Sequence, residues 1–230
     1  MRRASLLALS TAAVLAGCDQ PEVPLRLTPY EFRLAGTDSV FHWPATSLPV
    51  RIYVEPVGRI PDYAAQGLSA WQRQFLYGEF RGVVVSDSLQ ADVLLLLIGD
   101  PPPDTDLTND PPRLVCEGLT LVPPRGTDQA GQIRFTAQLR IELRWFPGNP
   151  ATDVVNCLAR VTTHEIGHAL GIFAHSDDPF DLMYRQPEVG TPSPRDQATI
   201  QTLYHLPTDI LPWDPNAIVA GAAAGGNGLP

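Results

Sequence analysis

The sequence predicts an α+β domain: a five-stranded, twisted sheet of mixed direction, two long helices and a third helix on the C-terminal side. Three observations lead there. Short apolar or alternating runs recur at Val50–Val54 and at residues 80–85, 92–98, 114–122 and 132–145, with the length and period of strands. Ala64, Leu68, Trp71 and Phe75 are spaced as one face of a helix over residues 61–77. Further helices open at Asn149-Pro150 and Ser193-Pro194, where a capping residue precedes a proline that fits the first turn.

The V-R-I-Y-V run alternates, as a half-buried strand does. The D-V-L-L-L-L-I run is continuously apolar, which predicts a strand covered on both faces. Residues 114–122 read as an edge strand. Residues 132–145 read as one long strand with Ile133, Phe135, Ala137, Leu139, Ile141 and Leu143 inward, and an arginine-bearing face in solvent. Between the third and fourth strands lies a stretch rich in proline and aspartate, residues 100–113. Its Asp104, Asp106 and Asp110 offer oxygen ligands for calcium, but no ligand spacing stands out, so a solvated acidic loop is the plainer reading. On the central helix Cys157, Val161, His164 and His168 fall near one stripe. The last helix is expected to run from a Ser193 cap to His205.

A chain of 230 residues with 44% apolar composition holds one domain of ordinary size plus tails. A net charge of −9 disfavours nucleic acid as a partner, because phosphate binding needs a basic patch. The 24 prolines predict long extended connections. Arg2 and Arg3 followed by an apolar stretch to Ala16 form a targeting segment, too short to span a bilayer. The L-A-G-C that closes it resembles the bacterial lipobox, which implies removal of residues 1–17 and lipidation of Cys18. The expected layout is thus a signal peptide over 1–17, a tether over 18–48, the domain over 49–206 and a flexible tail over 207–230. The protein is expected as a monomer, lipid-anchored outside the cytoplasm in the bacterial cell envelope. In that oxidising compartment Cys116 and Cys157 are expected to pair as a disulfide; two buried thiols are the alternative.

The chemistry concentrates in T-H-E-I-G-H-A-L-G-I-F-A-H-S-D-D-P-F-D-L-M-Y. His164 and His168, four apart on a helix, aim both imidazoles at one ion, and Glu165 places a carboxylate beside it as general base. Gly171 suits a helix stop, after which the chain returns His175 as a third nitrogen ligand. Three protein ligands with a fourth position open describe a catalytic zinc site rather than a closed structural one. His42 and His205 have no partner spacing and read as structural.

These residues resemble the signature of the metzincin metallopeptidases, and Ser176 after the third histidine resembles the matrixin branch. One departure is plain: the usual third-histidine position holds Ala174, and His175 follows one residue later, as if the turn were extended. Asp177 or Asp178 is the competing third ligand. The resemblance implies the metzincin arrangement of the five-stranded sheet and its helices, one catalytic zinc, and Met183 as the floor of the metal site. It also implies hydrolysis of peptide bonds in extracytoplasmic proteins by a zinc-bound water that Glu165 activates, with the substrate laid antiparallel to the edge strand. The alternative function is a non-catalytic zinc-containing lipoprotein acting as a binding or assembly module.

Overall fold

The computed structural model describes residues 27–99, 115–217, 219–220 and 227–229. In chain order the elements are β1 (Val50–Val54), α1 (Ile60–Gln72), β2 (Gly82–Val85), β3 (Val93–Leu97), β4 (Cys116–Val122), β5 (Arg125–Asp128), β6 (Ile133–Phe135), β7 (Leu139–Trp145), α2 (Ala151–Ala169), α3 (Pro194–Tyr204), β8 (Val219–Ala220) and β9 (Asn227–Leu229). The main sheet has the order β2-β1-β3-β7-β4, with the short β9 added outside β4. The first four strands run parallel and β4 runs antiparallel to β7. This is the expected α+β architecture with five principal strands and three α-helices.

Strand β1 buries Val50, Ile52 and Val54, as its alternation demands. Strand β3 does not behave as a doubly covered strand: Val93 and Leu95 are buried while Leu94, Leu96 and Leu97 are only partly so. The stretch at 132–145 is two strands, not one. Thr136 leaves the ladder, with its N–H and hydroxyl both donating to the Pro124 carbonyl, so β6 pairs with β5 in a separate three-stranded sheet. Ile133 and Ala137, expected inward, are exposed. Two strands in succession keep the same period of two, so alternation alone cannot reveal a change of partner. Helix α1 ends at Gln72, short of the expected limit, where bonds of the i to i+3 kind tighten the chain and still leave Phe75 buried. At the start of α2 the expected cap is not made: Asn149 donates its side-chain amide to the Phe146 carbonyl.

The domain extends beyond 49–206. Residues 27–48, expected as a tether, bury Tyr30, Phe32, Leu34, Val40, Phe41 and Trp43. Phe41 packs on Phe135 at 4.8 Å and on Phe173 at 5.8 Å between ring centroids. Residues 207–217, expected as tail, bury Ile210 completely, and Asp209 exchanges hydrogen bonds with Val40. These segments carry apolar residues without helical or strand period because each packs irregularly on a finished core, which periodicity cannot register. The signal segment, Cys18 and the acidic residues Asp104, Asp106 and Asp110 lie outside the described residues. Among the described residues no helix is long and apolar enough to cross a membrane.

Helices α1 and α2 press closely together. A side chain at Gly67 would collide with Ile166 and Thr163, and the Trp71 indole N–H donates to the Thr163 carbonyl at 2.8 Å. Helix α2 in turn lies across β4 and β7. Cys116 at the start of β4 and Cys157 on α2 are joined by a disulfide across 41 residues of chain. Closing a loop of that length stabilises the fold by about 4 kcal/mol through loss of unfolded-state entropy. Replacing both cysteines by serine is therefore expected to lower unfolding free energy by about that amount, measured by urea denaturation under oxidising conditions.

Candidate active site

The second half of α2 carries a polar face that is nonetheless buried: His164 and Glu165 are each 2% exposed and His168 is fully covered. Groups of this kind survive burial only when bonded. His164 donates from Nδ1 to the Leu182 carbonyl at 2.7 Å, and His168 donates from Nδ1 to the Ile172 carbonyl. A carbonyl can only accept, so both rings carry their proton on Nδ1 and turn Nε2 inward with a free lone pair.

The turn that brings in the third histidine begins at Gly171, whose φ of 114° favours glycine. There is no room for a Cβ there either, since the Phe41 carbonyl and Leu203 lie against it. Phe173 then donates its N–H to the Phe32 carbonyl and Ser176 donates to Met183, so the turn containing the additional residue is held from both sides. His175 arrives with its Nε2 3.3 Å from that of His168. Ligand nitrogens of all three histidines lie within 4.8 Å of one another. Tetrahedral zinc with ordinary bonds to nitrogen sets neighbouring ligands about 3.3 Å apart, so the trio fits such an ion with small side-chain adjustment.

Electrostatics point the same way. Burial lowers the pKa of His164 and His175 to about 4, with the Arg185 charge adding to the effect at His175, and burial takes His168 well below its usual value. All three are neutral at physiological pH, the form a metal requires. The competing ligands are placed elsewhere. Asp177 accepts from Arg195 at 2.7 Å and Asp178 accepts from the Phe180 N–H. His42 bonds the Leu206 carbonyl and His205 the Gln201 carbonyl, both away from the trio.

Glu165 points toward β4. Its Oε2 accepts from the Thr120 hydroxyl at 2.6 Å, and its side chain occupies the space a Cβ on Gly118 would need, with Oε1 2.5 Å from that position. Burial raises its pKa to about 8 in the metal-free protein, against the opposing hydrogen bonds from Thr120. Gly118 and Thr120 went unnoticed in the sequence, although a glycine inside the apolar run C-E-G-L-T-L-V was a signal of close approach. Beside Glu165 opens a cleft of about 470 Å³, lined by His164, Gly118, the Cys116–Cys157 bridge, Arg160 and Arg185.

Met183 is fully buried against Gly167, where its sulfur leaves no space for a Cβ. The turn around it is tied to α3: the Asp196 carboxylate accepts from the N–H groups of Leu182 and Met183, from Ser193 and from the Tyr30 hydroxyl. Ser193 caps α3 as expected and forms a reciprocal capping box with Asp196. Asp181, Arg195 and Asp196 were also missed, since no local pattern distinguishes them from ordinary helix-capping and loop residues.

The family model for matrixins matches residues 68–205, from within α1 to the end of α3. The chain belongs to the matrixin family. Matrixins are metallopeptidases, and the matched span takes in the three histidines, Glu165 and Met183. No curated protein sequence matches the chain. Within the matched span lie two buried histidines on a helix, a third on the turn after it, and a carboxylate wedged between that helix and a strand.

The raised pKa of Glu165 carries a sign. Its neutral form is favoured by folding, so this contribution is complete below pH 4.5 and is lost as pH rises through about 8. The stability advantage of Glu165→Gln over wild type, both metal-free, is expected to grow across that window, as thermal melts at successive pH values would show. A constant difference would contradict the burial argument.

Proposed function

We propose that the protein is a zinc-dependent endopeptidase that cleaves proteins or peptides outside the cytoplasm, with His164, His168 and His175 as metal ligands and Glu165 as general base. The observation that carries this reading is the clustering of three imidazoles whose ligand nitrogens lie within 4.8 Å of one another, with His164 and the neighbouring Glu165 lining an open cleft. A zinc ion held by His164, His168 and His175 would supply a water of pKa about 7 and a Lewis acid to polarise a carbonyl. The Glu165 carboxylate takes the proton of the attacking water and returns it to the leaving amine. The Thr120 hydroxyl, 2.6 Å from Oε2, fixes the direction in which the carboxylate points. Met183 supports the ligand helix from below through Gly167.

Substrate binding has a natural track along β4. That edge already accepts an antiparallel strand, with Thr120, Leu121 and Val122 opposite Leu229, Gly228 and Asn227 of β9. Those three positions are thereby covered, contrary to a free edge strand, so an extended peptide would add in the same sense to the part of β4 before Thr120, main chain to main chain. The targeting segment and Cys18 support a lipid-anchored protein in the cell envelope. Calcium has no support among the described residues.

A quenched-fluorescence peptide library separates this reading from a binding module that does not turn over. Wild type is expected to cleave and to stop on chelation, while Glu165→Ala should retain zinc and lose about 10²- to 10⁴-fold in kcat. Equal rates for the two proteins would remove Glu165 from catalysis. His168→Ala should lose zinc measured by elemental analysis.

A further inference from the structure

The three histidines are not held alike. His164 and His168 have their rings fixed by backbone carbonyls through Nδ1. His175 packs its ring on His164 at 5.3 Å between centroids, but its one hydrogen-bonding contact among the described residues is that of Nε2 with His168, and no backbone carbonyl holds its Nδ1. A ligand without such support depends on the backbone that carries it. The side-chain ties of that backbone converge on one residue.

We propose that Arg195 is the positioning residue for the third metal-binding histidine, a role that rests on the zinc-peptidase reading of the site. Its guanidinium spans the loop after His175. One arm meets Asp177 at 2.7 Å, and the other meets Asp181 at 3.2 Å and the Ser176 hydroxyl at 3.4 Å. Ser176, next to His175, donates its own hydroxyl to Asp181. The Asp181 side chain is only 4% exposed, and Arg195 is its one cationic partner among the described residues. Without Arg195 a buried carboxylate would keep only the hydroxyls of Ser176 and Ser193, which does not compensate a buried charge.

Arg195 is itself held from the far side. It stands in the first turn of α3, its Nε donates to the Thr28 carbonyl at 3.4 Å, and its guanidinium lies 5.3 Å from the Tyr30 ring centre. A planar, preorganised fork between two fixed elements sets a loop position in a way a flexible ammonium cannot. This is the device that makes a turn one residue longer than usual present its histidine to the other two.

The test is cobalt(II) binding to the full chain stripped of metal, with affinity from chelator competition and ligand geometry from the visible spectrum. Wild type and His175→Ala give the two reference spectra. Arg195→Ala is expected to bind about 10- to 100-fold more weakly, the usual cost of losing an outer-shell partner, with a spectrum displaced toward that of His175→Ala. Arg195→Lys should recover part of the affinity. Asp177→Asn should stay near wild type, because the Asp177 side chain is 86% exposed. Arg195→Ala with wild-type affinity and spectrum would overturn the proposal. If that variant does not fold, Arg195→Lys decides: weaker binding with a displaced spectrum supports it, and wild-type binding overturns it. Wild type that takes up no cobalt would instead sink the metal-site reading itself.

Discussion

The burial of two imidazoles and a carboxylate on one helix face is the constraint on which this structure turns. Polar groups withdrawn from water destabilise a fold unless they are bonded, and the neighbours of α2 are chosen accordingly. Carbonyls of Leu182 and Ile172 receive the histidine protons, and Thr120 meets Glu165. Glycines at 67, 118 and 167 let α1, β4 and Met183 approach the helix without collision. The same contacts that satisfy the buried groups also set the ring orientation, the tautomer and the direction of the carboxylate. Stability and chemical competence are here one arrangement.

A second hub lies at the start of α3. Asp196 gathers the backbone of the methionine turn, the cap of its own helix and Tyr30, and its pKa is raised by burial in spite of those bonds. Asp181 and Arg195 do the same for the loop after His175. Segment 27–48 thereby becomes part of the site's support, since Thr28 and Tyr30 hold Arg195 and Asp196, and Phe32, Phe41 and Trp43 brace the turn at Gly171. What read as a tether is a wall of the domain.

Much of the fold was legible because it is local. Strand β1, the helical faces of α1 and α2, and the Ser193 cap follow from period and from residue types that satisfy backbone groups at helix ends. The two strands hidden in residues 132–145 were not separable, because Thr136 changes partner without interrupting the alternation. The buried aromatics of residues 27–48 and the covered Ile210 were likewise invisible, since irregular segments pack through contacts remote in sequence.

By itself the sequence determined the helix-borne half of the site: His164, Glu165 and His168 share a face because a helix repeats every 3.6 residues, whatever surrounds it. It also offered His175, Asp177 and Asp178 as rivals for the third position without ranking them by geometry. Tertiary structure decided that point, drawing His175 to within 3.3 Å of His168 while Arg195 takes Asp177 away. It likewise decided which strand residues meet Glu165, because the packing of α2 on β4 is a relation between segments more than forty residues apart. Local periodicity encodes which face of an element is special, and only the packing of that face against distant segments determines what it meets.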